Sequence, residues 1–138
     1  MSSPLGKLKP EIKVRWRAAL ESQKYLQSKG KLKSVKGFCC LGVLGDLAVE
    51  DGVASWNEND SIVVKGTGQR ERNAFPKDLL PWAFEGVINE EVFIPELPDQ
   101  VNFVYFTNEG LSETSCLTVE NDSGLTFPEI SKLIEQHF

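Results

Sequence analysis

The chain has 138 residues, a net charge of −5 and 41% hydrophobic content, which is the composition of one ordinary globular domain. No apolar run approaches the ~20 residues needed to cross a bilayer, and the first residues lack the apolar core of a secretory signal. A single histidine excludes a His-rich metal site and leaves His137 as the sole histidine for any catalytic triad.

The charge is unevenly spread. Residues 1–38 hold ten basic and two acidic residues, a net +8, whereas residues 39–138 hold five basic and eighteen acidic, a net −13. Such asymmetry fits either a basic face for phosphates or two parts that fold together and neutralise each other. Three cysteines do not make a disulfide framework, and Cys39 and Cys40 are adjacent, so free thiols are expected.

In chain order, residues 1–8 read as a flexible leader and 9–138 as a single α+β domain. Pro10 starts a helix over 10–22, because proline in the first turn loses no needed hydrogen bond. Ile12, Trp16, Ala19 and Leu20 give it one apolar stripe. Gly30 to Gly37 is a basic connector with a short strand near Leu32. Phe38 to Val49 is almost continuously apolar and predicts a buried helix over 39–49, where Gly42 and Gly45 let a neighbour approach closely. Ser61 to Lys65 has strand character, and Pro76 to Phe84 predicts a short helix weakened by Pro81 and capped by Gly86. Val101 to Thr107 is the strongest strand, rich in β-branched and aromatic residues. Cys116 to Glu120 reads as a turn or short helix, and Asn121 to Gly124 as a turn. Thr126 and Glu129 form a capping box before a helix over 126–137, striped by Phe127, Ile130, Leu133 and Ile134. The expected architecture is about three helices on a small antiparallel sheet.

Trp16 before Ala19 and Leu20 is the first of three motif groups. The second has Tyr25, Gln27, Gly30 and Leu32 ahead of the Phe38-Cys39-Cys40-Leu41-Gly42-Val43-Leu44 block and Asp46-Leu47. The third is Asn121-Asp122-Ser123-Gly124 with Phe127, Ile130 and Ile134. Together they cover about half the chain, and the sequence resembles a widespread, functionally uncharacterised family of small proteins from tailed bacteriophages and prophages. Many members carry a third cysteine where this chain has Gly45. The resemblance implies a phage origin and a place in the host cytoplasm, and no particular activity.

Three function classes follow. The first is a non-enzymatic accessory protein for host takeover or counter-defence, binding a host protein or sequestering an anionic small molecule such as a nucleotide-like immune signal. Lys65, Arg70 and Arg72 around a glycine-bearing loop, with the N-terminal basic residues, would meet phosphates. Trp56 or Trp82 would stack on a base, and Asn121 and Asp122 lie in a turn able to hold an anion before a helix. The second class is a cysteine-dependent hydrolase using Cys39 or Cys40 with His137, since a thiol at a helix start has a lowered pKa. The third is a nucleic-acid-binding module using the +8 segment, which the acidic remainder disfavours. Zinc held by Cys39, Cys40, Cys116 and His137 has the right residue types but not the usual spacing. No cofactor is implied, and self-association into a homo-oligomer is compatible with the size.

Overall fold

Pro10 opens helix α1 (Pro10–Glu21), and its apolar stripe buries Ile12, Trp16 and Leu20. The structure, a computed structural model, describes residues 8–72, 75–84, 100–101, 104–106, 114–116, 121–122 and 124–137. Leu8, assigned to the leader by its position, is buried and bridges Phe84, and Lys9 donates its N–H to the Ala83 carbonyl, so Leu8 belongs to the packed fold; residues 1–7 lie outside the described residues.

Helix α2 (Cys40–Glu50) is the centre of the core, with eight buried residues from Cys40 to Ala48. Cys39 is its N-cap: the sulfur accepts the Gly42 N–H at 3.4 Å. The Trp16 indole N–H reaches the Cys40 carbonyl at 3.0 Å and so ties α1 to the start of α2. Gly42 is required by packing. A Cβ built there would lie 1.7 Å from the Leu32 carbonyl oxygen, so the connector backbone rests directly on the helix. The close approach expected of the small residues is made at Gly42 by the connector backbone and at Gly45 by the Ile62 side chain, whose Cδ1 would lie 2.9 Å from an added Cβ.

Among the described residues the strands are all paired antiparallel, in four small sheets rather than one. Strands β1 (Lys33–Ser34) and β2 (Gly37–Phe38) form a hairpin inside the basic connector. Strands β3 (Ala54–Trp56), β4 (Ile62–Val64) and β5 (Arg70–Glu71) form the three-stranded sheet, in register Ala54 with Val64 and Val63 with Arg70. Strand β6 (Phe75–Pro76) pairs with β7 (Gln100–Val101), and β8 (Val104–Phe106) with β9 (Thr114–Cys116). Cys116 thus closes a strand instead of opening a turn or helix; residues 117–120 lie outside the described residues, as does Gly86.

The helix expected over 76–84 is a 3-10 turn (Lys77–Leu79) followed by a single α turn, α3 (Leu80–Ala83). Pro81 sits in the first turn of α3, where its missing N–H costs nothing, so it starts the turn rather than weakening its middle. Phe84, in extended backbone, ends it. The last helix, α4 (Phe127–His137), packs on α1. Its capping box forms as the residues require. Glu129 accepts the Thr126 N–H at 3.0 Å, and the Thr126 hydroxyl accepts the Glu129 N–H. The backbone N–H and hydroxyl of Thr126 hold the Glu129 carboxyl below the usual carboxylate range. Among the described residues no helix is long and apolar enough to cross a membrane.

Candidate functional site

Much of the opposite charge is consumed internally on the helical side. Arg15 pairs with Asp51 at 2.8 Å and lies near Glu50. Arg17 pairs with Glu135 and Glu21 and donates from Nε to the Ser131 hydroxyl. Lys13 reaches the Glu135 carbonyl. The basic N-terminal helix and the acidic elements thus neutralise each other here. The Arg15 hydrogen bond lowers the Asp51 carboxyl, with the Trp82 indole N–H assisting at 2.9 Å. Trp82 is therefore anchored to the C-cap of α2.

The cysteines are core side chains. Cys39 and Cys40 are free thiols, 3% and 0% exposed. Burial pushes the Cys39 thiol up to about 11, and that of Cys40 well above its ordinary value. The expectation of a lowered pKa at a helix start is corrected: the Gly42 N–H favours the Cys39 thiolate, but desolvation outweighs it. His137 is the last residue of α4, whereas the cysteines open α2. Among the described residues no group of three or more His, Cys, Asp or Glu is placed to hold a metal.

Asn121 and Asp122 are pins. Asn121 is fully buried. Its Oδ1 accepts the Cys40 N–H at 3.2 Å and the Gln27 amide at 3.0 Å, and its Nδ2 donates to the Ser28 carbonyl at 2.8 Å. Gln27 completes the joint by donating to the Leu125 carbonyl and accepting the Phe127 N–H. Asp122 Oδ1 accepts the Gly30 N–H at 3.0 Å. Asn121 and Asp122 are helical rather than part of the expected turn, and Gly124 follows at φ +111° with its N–H bonded back to the Asn121 carbonyl. The side chains expected at an anion site instead tie the connector and the start of α4 to α2.

Trp56 lies over the middle of α2. Its indole N–H donates to Asp46 Oδ1 at 3.1 Å, and Tyr25 donates to Asp46 Oδ2 at 2.6 Å. Burial, then the Asp46 hydrogen bond, raises the Tyr25 phenol well above its ordinary value. Phe38 packs edge-on to both Tyr25 and Trp56, and the Lys33 ammonium sits 5.3 Å from the Trp56 ring centre and 3.9 Å from Asp60. Lys33 is thereby fastened to the aromatic cluster.

Lys65 follows β4, Arg70 opens β5 and Arg72 comes just after it. The Leu32 N–H donates to the Arg72 carbonyl at 2.8 Å, and the Leu32 carbonyl accepts the Cys39 N–H. That bond sets the connector, which carries Lys29, Lys31, Lys33 and Lys36, beside Arg72 just after β5, forty residues away in sequence; Arg70 is exposed within β5 itself. Arg72 also reaches the Asn59 carbonyl at 3.3 Å. Lys65 is exposed at the head of the β4–β5 turn, where Gly66 and Gly68 take positive φ and the Gly68 N–H closes on the Val64 carbonyl. The glycines therefore serve the turn.

Beside this junction, a pocket of about 530 Å³ is lined by Lys29, Gly30, Lys31, Ser34, Val35 and Lys36. These lysines belong to the basic N-terminal segment expected to meet phosphates, although no motif in the sequence sets them apart from its other basic residues.

The chain belongs to DUF8296, a domain family of unknown function, whose model matches residues 8–138. No curated protein and no solved structure matches it.

Proposed function

We propose that this protein is a non-enzymatic binding protein that captures a phosphate-bearing, nucleotide-like small molecule on the basic face where the connector meets the end of β5. In the setting implied by the sequence resemblance, it is a phage accessory protein that sequesters an immune signal in the host cytoplasm. The observation that supports the reading is the Leu32–Arg72 backbone bond, which sets the basic connector beside Arg72 on a protein of net charge −5. A local positive patch on a chain of net −5 attracts small anions, while the acidic remainder repels a long polyanion such as duplex DNA. Burial of both described thiols, with their pKa values raised, favours binding over cysteine-dependent hydrolysis.

Native mass spectrometry of gently purified protein, incubated with a nucleotide pool, tests this reading and counts subunits in the same spectrum. A discrete adduct, weakened by the Arg70→Glu/Arg72→Glu double variant, is the expected result. Bare protein with every nucleotide overturns sequestration and moves the search to a host protein by pull-down.

A further inference from the structure

Lys29, Lys31 and Lys36 differ from every basic residue of the helical interface described above. Arg15 and Arg17 have carboxylate partners, and Lys33 has Asp60 and two aromatic rings. Lys29, Lys31 and Lys36 line one pocket and make no ion pair with any described residue. Three lysines that line one pocket without an ion pair to any described residue disfavour one another electrostatically, and an arriving anion relieves that repulsion.

The rest of the lining agrees. The hairpin tip is formed: Ser34 Oγ accepts the Lys36 N–H at 3.1 Å, and among the described residues the Ser34 hydroxyl proton has no acceptor. Val35 is 99% exposed and packs on nothing in the core, so it offers an apolar contact beside the charges. The tip is held from below. Gly37, at φ +139°, leaves no room for a Cβ against the Leu26 carbonyl, and Asp122 fixes Gly30. Among the described residues Asp122 is the acidic side chain bonded to a lining residue; its carboxylate takes the Gly30 N–H and sets one negative charge against the three lysines. The volume lies within the ~300–1,000 Å³ usual for small-molecule sites. Lysine ammonium groups are compact point charges that adapt around tetrahedral phosphates, whereas arginine's planar fork suits a flat carboxylate equally well.

We infer that the β1–β2 hairpin pocket is the phosphate subsite of this protein and takes a di- or triphosphate group, with Lys29, Lys31 and Lys36 as its ligands and Ser34 as a donor. The inference rests on the binding reading above and assigns it a place that Arg70 and Arg72 alone do not give.

The test is an amide NMR titration of the full chain with sodium pyrophosphate, with AMP and ATP as the comparison pair. The expected result is saturable shifts at Gly30, Lys31, Ser34, Val35 and Lys36 for pyrophosphate and ATP, weaker for AMP and weakened by added salt. A Lys29→Gln/Lys31→Gln/Lys36→Gln variant, folded by its amide spectrum, binds at least about tenfold more weakly. Should that variant misfold, the three single variants each show a smaller loss. Saturable shifts confined to Arg70 and Arg72, unchanged in the lysine variants, overturn the pocket but leave the binding reading standing. No saturable shift with either phosphate compound, together with bare protein in the native spectra, overturns both.

Discussion

The helical interface of α1, α2 and α4 and the β1–β2 hairpin both draw on the basic N-terminal segment, and they treat its charge in opposite ways. At the interface, Arg15 and Arg17 lie against Asp51, Glu50, Glu21 and Glu135 and help fasten the helices. In the hairpin, Lys29, Lys31 and Lys36 surround a pocket instead of a carboxylate. Charge that finds a partner within the fold is explained by the fold, although exposed pairs contribute only a few tenths to about 1 kcal/mol each. Charge without one is where the proposal places an arriving anion.

The hairpin can hold that arrangement only because its base is fixed to the core. Leu32 is fully buried, its carbonyl lies on Gly42, and its N–H is bonded to Arg72. Gly42→Ala breaks this seat and has the largest expected effect. The methyl would meet backbone, which cannot swing away, so the helix or the connector must shift. A loss of several kcal/mol, seen as insolubility or a collapsed thermal transition, is expected. A melting temperature equal to that of the parent chain would contradict the close packing.

Asn121→Ala comes next. It strips partners from the Cys40 N–H and the Ser28 carbonyl and releases Gln27, at a cost of about 3 kcal/mol by urea unfolding. The hairpin, pinned through Ser28 and Gly30, should show faster amide exchange in that variant than α1 does.

Asp51→Asn probes the interface side and has a smaller effect, within about 1 kcal/mol. The Arg15 hydrogen bond lowers the Asp51 carboxyl in the folded state, so its stabilisation is complete above the unfolded carboxylate value of about 3.9 and fades as pH falls through the folded value. The variant should lose stability at neutral pH and show less further loss on acidification. Equal acid sensitivity in both chains would contradict the pairing. The smallest expected effect is none at all. Iodoacetamide at neutral pH should leave Cys39 and Cys40 unmodified in the folded chain, whereas rapid labelling of either would revive the hydrolase reading.

The sequence carried what is periodic and local. The Ile12, Trp16 and Leu20 stripe, the Phe127, Ile130 and Ile134 stripe and the Thr126–Glu129 box are each written within a few residues and appear as expected. The buried helix behind Cys39 was legible from an apolar run interrupted only by Asp46. Pairings across long separations were not. Nothing near Leu32 points to Arg72, and an Asn-Asp-Ser-Gly stretch looks like a surface turn whether or not its asparagine reaches a helix start eighty-one residues away. The sheet was anticipated as one element because short strands reveal their existence but not their partners, and here they divide into four. Trp56 and Trp82 looked free to stack because an indole N–H carries no sign of its acceptor; Asp46 and Asp51 are those acceptors.

Thermal denaturation with and without sodium pyrophosphate, run on an Arg15→Gln/Arg17→Gln variant and on the Lys29→Gln/Lys31→Gln/Lys36→Gln variant, tests the contrast most directly. A ligand that binds only the folded state raises the melting temperature by mass action. The predicted result is a lower starting temperature with a full pyrophosphate shift for the arginine variant, and a normal starting temperature with a lost shift for the lysine variant. Equal pyrophosphate shifts in both variants, or none in the parent chain, would contradict the account.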